Sequence, residues 1–155
     1  MTTSKYKIAT LHFKIQKNDL HGMYDSLTTD LVNATSGTYK RNALHVVAIY
    51  GCKEVRVLQK IIRLSNNVNA KDFGAFTALI YAAQYAHLEV VTALVKHPNI
   101  DLTVRDQYGN TALDYAHKNN KTEIANLLLG GDAKVVGGGA AVGGSRLTPY
   151  GTLKL

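Results

Sequence analysis

Six histidines and one cysteine are the residues of this chain that could do metal or nucleophilic chemistry, and their spacing serves neither. His12, His21, His45, His87, His97 and His117 form no H-E-x-x-H pair, and Cys52 has no second cysteine to share an ion. No metal or cofactor is therefore expected. Cys52 lies beside Lys53, but no acid, base and nucleophile set accompanies it, so no catalytic role is expected. The stretch "GGDAKVVGGGAAVGGS" lacks the G-K-[ST] ending of a phosphate loop. What remains is surface chemistry. Lys53, Arg56, Lys60 and Arg63 recur at intervals of three and four, which places them along one helix face. Such a stripe is either a solvated outer face or a polyanion contact, to nucleic acid or an anionic membrane, whose strength would fall steeply with salt.

The elements that carry these residues are set by an internal repeat. Asp72, Thr77, Ala78, Leu79, Tyr81, Ala82 and Glu89 recur 34 residues later as Asp106, Thr111, Ala112, Leu113, Tyr115, Ala116 and Glu123. Shifted by 35 residues the other way, Ala78, Leu79, Ala83, Glu89 and Val90 match Ala43, Leu44, Ala48, Glu54 and Val55. A pattern that returns three times at one period specifies stacked units, each too small to bury its own apolar face. Each unit reads as two helices. The first copy gives helices over about residues 43–50 and from 53 on, with Val55, Leu58 and Ile62 inward at helical spacing. The second gives about 77–85 and 88–96, opened by a Thr77 cap and stopped by Pro98. The third opens on Thr111 and turns Ile124, Leu127 and Leu128 inward.

Read whole, "DFGAFTALIYAAQYAHLEVVTALVKH" and "DQYGNTALDYAHKNNKTEIANLLL" resemble the ankyrin repeat, D-x-x-G-x-T-P-L-H-x-A-A-x-x-G-H-x-E-V-V-x-L-L-L, and "NALHVVAIYGCKEVRVL" keeps its Leu-His pair and Gly. The resemblance implies an all-α solenoid of stacked helix pairs with hairpin fingers. Its bounds divide the chain into a degenerate N-terminal capping repeat (1–36, with helices over about 8–16 and 20–32), repeats at 37–71, 72–105 and 106–129, and a Gly-rich flexible tail (130–155) whose end, "RLTPYGTLKL", alternates like a strand. Three departures stand out. Ala43, Ala78 and Ala112 replace the Pro of T-P-L-H; Ile80 and Asp114 replace the His that in the family links neighbouring repeats; Lys40 and Ala75 replace the turn Gly kept at Gly109.

The resemblance also implies where a partner would sit, on the finger tips and the last residues of each first helix. Those positions are Tyr39, Arg41, Ile49 and Tyr50, then Phe73, Phe76, Gln84 and Tyr85, then Gln107, Tyr108, Asn110, Lys118 and Asn119. Aromatic side chains and Arg, the usual anchors of interfaces, dominate that set. The implied function is a non-catalytic adaptor or scaffold with a protein partner and no small-molecule substrate. The resemblance also sets Asn69 beside the finger Asn that is hydroxylated in some ankyrin proteins, and a turn-stabilising role suits it better.

Composition agrees with a packed intracellular protein. Apolar residues make up 46% of 155, no apolar run approaches membrane-spanning length, and the start "MTTSKYKIAT" has no secretory layout. With a lone Cys52, the cytosol is expected, the nucleus being compatible. The net charge of +7 is concentrated before Leu64, where ten Lys or Arg face four acids.

Overall fold

The computed structural model describes residues 2–135, 146–147 and 153–154, with side chains described over residues 5–130. Among the described residues eight helices follow one another: α1 (Thr2–Gln16), α2 (Thr29–Asn33), α3 (Ala43–Tyr50), α4 (Val55–Leu64), α5 (Ala78–Gln84), α6 (Leu88–Val95), α7 (Ala112–Lys118) and α8 (Thr122–Val135). They form two layers. The inner helices α1, α3, α5 and α7 pack side by side in that order, and α2, α4, α6 and α8 pack behind them. Between them runs one continuous core from Leu11 and Ile15 through Leu44, Leu58, Leu79 and Leu94 to Leu128. Ala43, Ala48, Ala82, Ala83 and Ala116 are fully covered, so small side chains are what let the inner helices approach closely.

Local chemistry sets the helix bounds. The Thr77 and Thr111 hydroxyls accept the amides of Ile80 and Asp114, as expected of N-caps. In the first copy Asn42 does this work, in a reciprocal box with the His45 ring. The turn between paired helices needs one left-handed residue, and each unit supplies it at the same place: Asn18 (φ 53°), Gly51 (φ 80°), Ala86 (φ 62°) and Asn120 (φ 54°). Asn18 holds this conformation 33 residues before Gly51, close to the spacing of the later units.

The helix expected over 20–32 does not form as such. Residues 20–26 make successive turns through a left-handed Gly22 (φ 75°), and only the five residues of α2 are helical, capped by Thr28. The preceding helix starts earlier than expected, at Thr2. Val55, expected inward, is exposed; α4 instead buries Val57, Leu58, Ile61 and Ile62. The last helix runs past the expected boundary at Leu129 to Val135, because each Gly of the pair at 130 and 131 costs a helix only about 1 kcal/mol. Most of the tail expected beyond it lies outside the described residues; within it Arg146–Leu147 (β1) and Leu153–Lys154 (β2) pair antiparallel with each other. Among the described residues no helix is long and apolar enough to cross a membrane.

Candidate protein-binding surface

The second and third fingers are each folded around a carboxylate. Asp72 Oδ1 accepts the amides of Gly74 (2.9 Å) and Phe76 (3.0 Å), and Asp106 Oδ1 accepts those of Tyr108 (2.8 Å) and Asn110 (3.0 Å). The second oxygen of each takes a tyrosine hydroxyl from the following inner helix, Tyr81 at 2.6 Å and Tyr115 at 2.7 Å. Burial alone would raise the Asp72 carboxyl. The Tyr81 hydroxyl, the two amides and the Arg41 guanidinium outweigh it, and Asp72 lies below the usual carboxylate range. The same burial and bond push Tyr81 well above the ordinary phenol value, and Tyr115 up to about 12.

The first finger has no such Asp. It closes through the Ser36 and Arg41 backbones, and Arg41 reaches forward to Asp72 (3.2 Å) and the Tyr81 hydroxyl (2.6 Å). At the tips Lys40 (φ 50°), Ala75 (φ 62°) and Gly109 (φ 80°) share one left-handed conformation, so loss of the turn glycine leaves the geometry intact. The fingers also join backbone to backbone: Phe73 N–H donates to the Tyr39 carbonyl and Gln107 N–H to that of Gly74. The result is a row of braced fingers beside a row of inner helices.

Further bonds tie unit to unit. His45 Nε2 reaches the Ala70 and Phe76 carbonyls (2.9 and 3.2 Å), the repeat-linking role expected of it. Burial lowers its pKa. Where later copies lack this His, Ile80 is buried and Asp114 accepts from the Thr111 amide instead. Asn69 adds a bond between successive connectors, donating to the Asn99 carbonyl and accepting the Asp101 amide. His87 Nε2 bonds the Ile49 carbonyl, and Asn119 Nδ2 donates to that of Gln84.

The partner positions expected from sequence separate into two groups. Tyr39, Tyr50, Phe73, Tyr85 and Tyr108 are exposed, from 47% at Tyr50 to 77% at Phe73. Gln107, Lys118 and Asn119 are exposed as well, and Ile49, Gln84 and Asn110 are half-buried. Two expectations change. Phe76 is buried, stacked on Tyr81 with ring centroids 4.9 Å apart and flanked by Tyr108 and Tyr115, so it holds fingers to helices. Arg41 is half-buried, spent on Asp72 and on the Tyr39 and Tyr81 ring faces. A groove of about 350 Å³ runs between α1, the first finger and α3, lined by His12, Phe13, Gln16, Tyr39, Ile49 and Tyr50. Residues of α1 were missed as surface candidates because the sequence before residue 37 departs furthest from the pattern.

The alternative stripe is partly committed. Lys60 donates to the Tyr24 carbonyl and lies over its ring at 4.2 Å from the centroid, and Arg63 reaches the Tyr24 hydroxyl. Arg56 borders a cleft that also contains Asp25 and Glu54. Lys53 precedes the helix rather than joining it, its amide bonded to Asn18. Cys52 is buried with its thiol on the Glu54 carbonyl, and burial pushes its pKa up, which suits packing rather than attack.

A family model described as ankyrin repeats (3 copies) matches residues 11–106 and 44–136. The chain belongs to the ankyrin-repeat family. Over 86 residues it is 37% identical to Rabankyrin-5 of Mus musculus and of Homo sapiens, a match covering 54% of this chain and 7% of each relative. Over 75 residues it is 33% identical to the mitochondrial liver isoform of glutaminase of Mus musculus, covering 48% of the chain and 12% of that enzyme. The matches thus span a small fraction of each relative's length. Ankyrin repeats generally mediate protein–protein interaction and are generally non-catalytic.

Proposed function

We propose that this ankyrin array is an adaptor that holds a protein partner on the face formed by its fingers and inner helices. The observation that carries the reading is the set of five exposed aromatics, Tyr39, Phe73 and Tyr108 on the fingers and Tyr50 and Tyr85 at the ends of α3 and α5. Large apolar rings left in water on a braced surface offer much contact area at little ordering cost. Three of these rings also lean on the array, Tyr39 on Arg41, Tyr85 on Tyr81 and Tyr108 on Phe76, yet each keeps half or more of its surface in water.

The test is a pull-down from lysate with the wild-type chain beside a Tyr50→Ala, Tyr85→Ala, Tyr108→Ala triple variant, at low and high salt. The expected result is a protein retained at high salt by the wild type and lost in the variant, with both chains equally helical. Retention by the variant would refute the surface assignment.

A further inference from the structure

We infer that the finger face is built for an acidic protein segment. This deepens the adaptor reading and rests on it. Charge divides between the two layers of the solenoid. Along the inner helices and the connectors that form the fingers, from Lys5 to Lys118, there are nine Lys or Arg against four acids. Along the outer helices and the turns that lead into them the two signs balance, seven against seven. The basic excess of the described part of the molecule therefore belongs to one face.

The four acids on that face are internally engaged. Asp72 and Asp106 fold their fingers, and Asp114 accepts from the Thr111 amide and hydroxyl. Asp101 accepts from the Thr103 amide (2.8 Å) and hydroxyl (2.6 Å). Each carboxylate thus accepts from amides and hydroxyls of the array itself. Lys40 and Lys71 are exposed at the first and second fingers, and Lys118 is exposed at the end of α7. Lys5 is exposed on α1, and Lys17, in the turn that follows it, lies over the Phe13 ring that lines the groove.

Cations interleaved with exposed rings suit a chain that offers Asp or Glu between apolar anchors. Complementary charge of this kind raises the association rate and selects the partner, while the rings hold it. A nucleic acid fits less well. Affinity for a phosphate backbone needs several neighbouring cations, whereas the exposed Lys40, Lys71 and Lys118 stand singly, at the first finger, the second finger and the end of α7, and suit a peptide that places its charges discretely.

The experiment uses two pools of short fluorescein-labelled peptides that share Leu and Tyr positions and differ only in carrying Asp/Glu or Lys/Arg between them. Anisotropy reads their binding to the full chain, to Lys40→Glu/Lys71→Glu/Lys118→Glu, to the outer-face control Lys53→Glu/Arg56→Glu, and to the triple Tyr variant. The acidic pool should bind the wild type, weaken about tenfold or more in the finger variant and be unchanged in the outer-face control. Equal binding of both pools, no binding of the acidic pool, or equal loss in the outer-face control overturns the inference. If the triple Tyr variant still loses binding in those cases, the adaptor reading survives; if it binds like the wild type, that reading falls with it. A DNA oligonucleotide that displaces the acidic pool more effectively than unlabelled acidic peptide does would assign the face to nucleic acid instead. Lys40→Gln/Lys71→Gln repeats the test without new carboxylates should charge reversal disturb folding, which circular dichroism reports.

Discussion

The Tyr81 hydroxyl donates to Asp72 Oδ2 at 2.6 Å, and the same pair returns one repeat later as Tyr115 and Asp106 at 2.7 Å. Both pairs span nine residues, which joins the root of a finger to the inner helix that follows it. Tyr81 is buried and Tyr115 only partly so. Removing the hydroxyl leaves a carboxylate oxygen short of a donor, and the cost grows with burial. Tyr81→Phe should therefore lose about 1.5–3 kcal/mol in urea unfolding and Tyr115→Phe less. Equal losses would mean that the two fingers depend on their tyrosines alike despite different burial.

Left-handed positions make a second prediction with opposite signs. A Cβ on Gly51 would sit 2.9 Å from His87 Nδ1, at φ 80°, while at Gly109, also φ 80°, nothing lies within 4 Å. Gly109→Ala should cost about 1–2 kcal/mol for conformation alone, and Gly51→Ala more, because the His87 ring that bonds the Ile49 carbonyl must move. Ala75→Gly and Ala86→Gly relieve the same strain and should stabilise by about 0.5–1 kcal/mol after the extra flexibility of the unfolded chain is subtracted. Thermal melting of the four variants gives the order directly.

Phe73 and Phe76 are separated by three residues and by function. Phe73 is 77% exposed and Phe76 9%, on one finger. Phe76→Ala should destabilise by about 3–5 kcal/mol, and Phe73→Ala by less than about 0.5 while weakening partner capture. A binding loss without a stability loss in Phe76→Ala would place that ring at the interface after all.

That pair also shows where the sequence was legible. The repeat period and the Thr77 and Thr111 caps locate α3, α5 and α6 and the starts of α4 and α7 to within about two residues, because apolar spacing and capping are local signals. Which finger ring faces water was not local. Phe76 is claimed by Tyr81, Tyr108 and Tyr115, from its own repeat and the next. Arg41 is likewise drawn inward by Asp72 and Tyr81, over thirty residues away. Residues before 37 were read least well, since Gly22 breaks the expected second helix.

His12 supplies the pH prediction. Its Nδ1 lies 2.7 Å from the Ser36 hydroxyl, while Nε2 is buried without a hydrogen-bond partner among the described residues. Burial, helped by nearby His45, lowers its pKa from 6.5 to about 4. The folded chain then binds this proton less readily than the unfolded one, so stability rises with pH across that interval and is lost as pH falls from 6.5 toward 4. Asp72, held below the usual carboxylate value, loses its contribution only at lower pH, which keeps the windows apart. His12→Asn removes the titrating ring and leaves a side chain able to meet Ser36. Its melting temperature should fall less than that of the wild type between pH 6.5 and 4, while the two should show similar slopes below that range. Parallel curves across the whole range would mean that His12 is as free to take up a proton in the folded array as in the unfolded chain, and that His45 accounts for the loss.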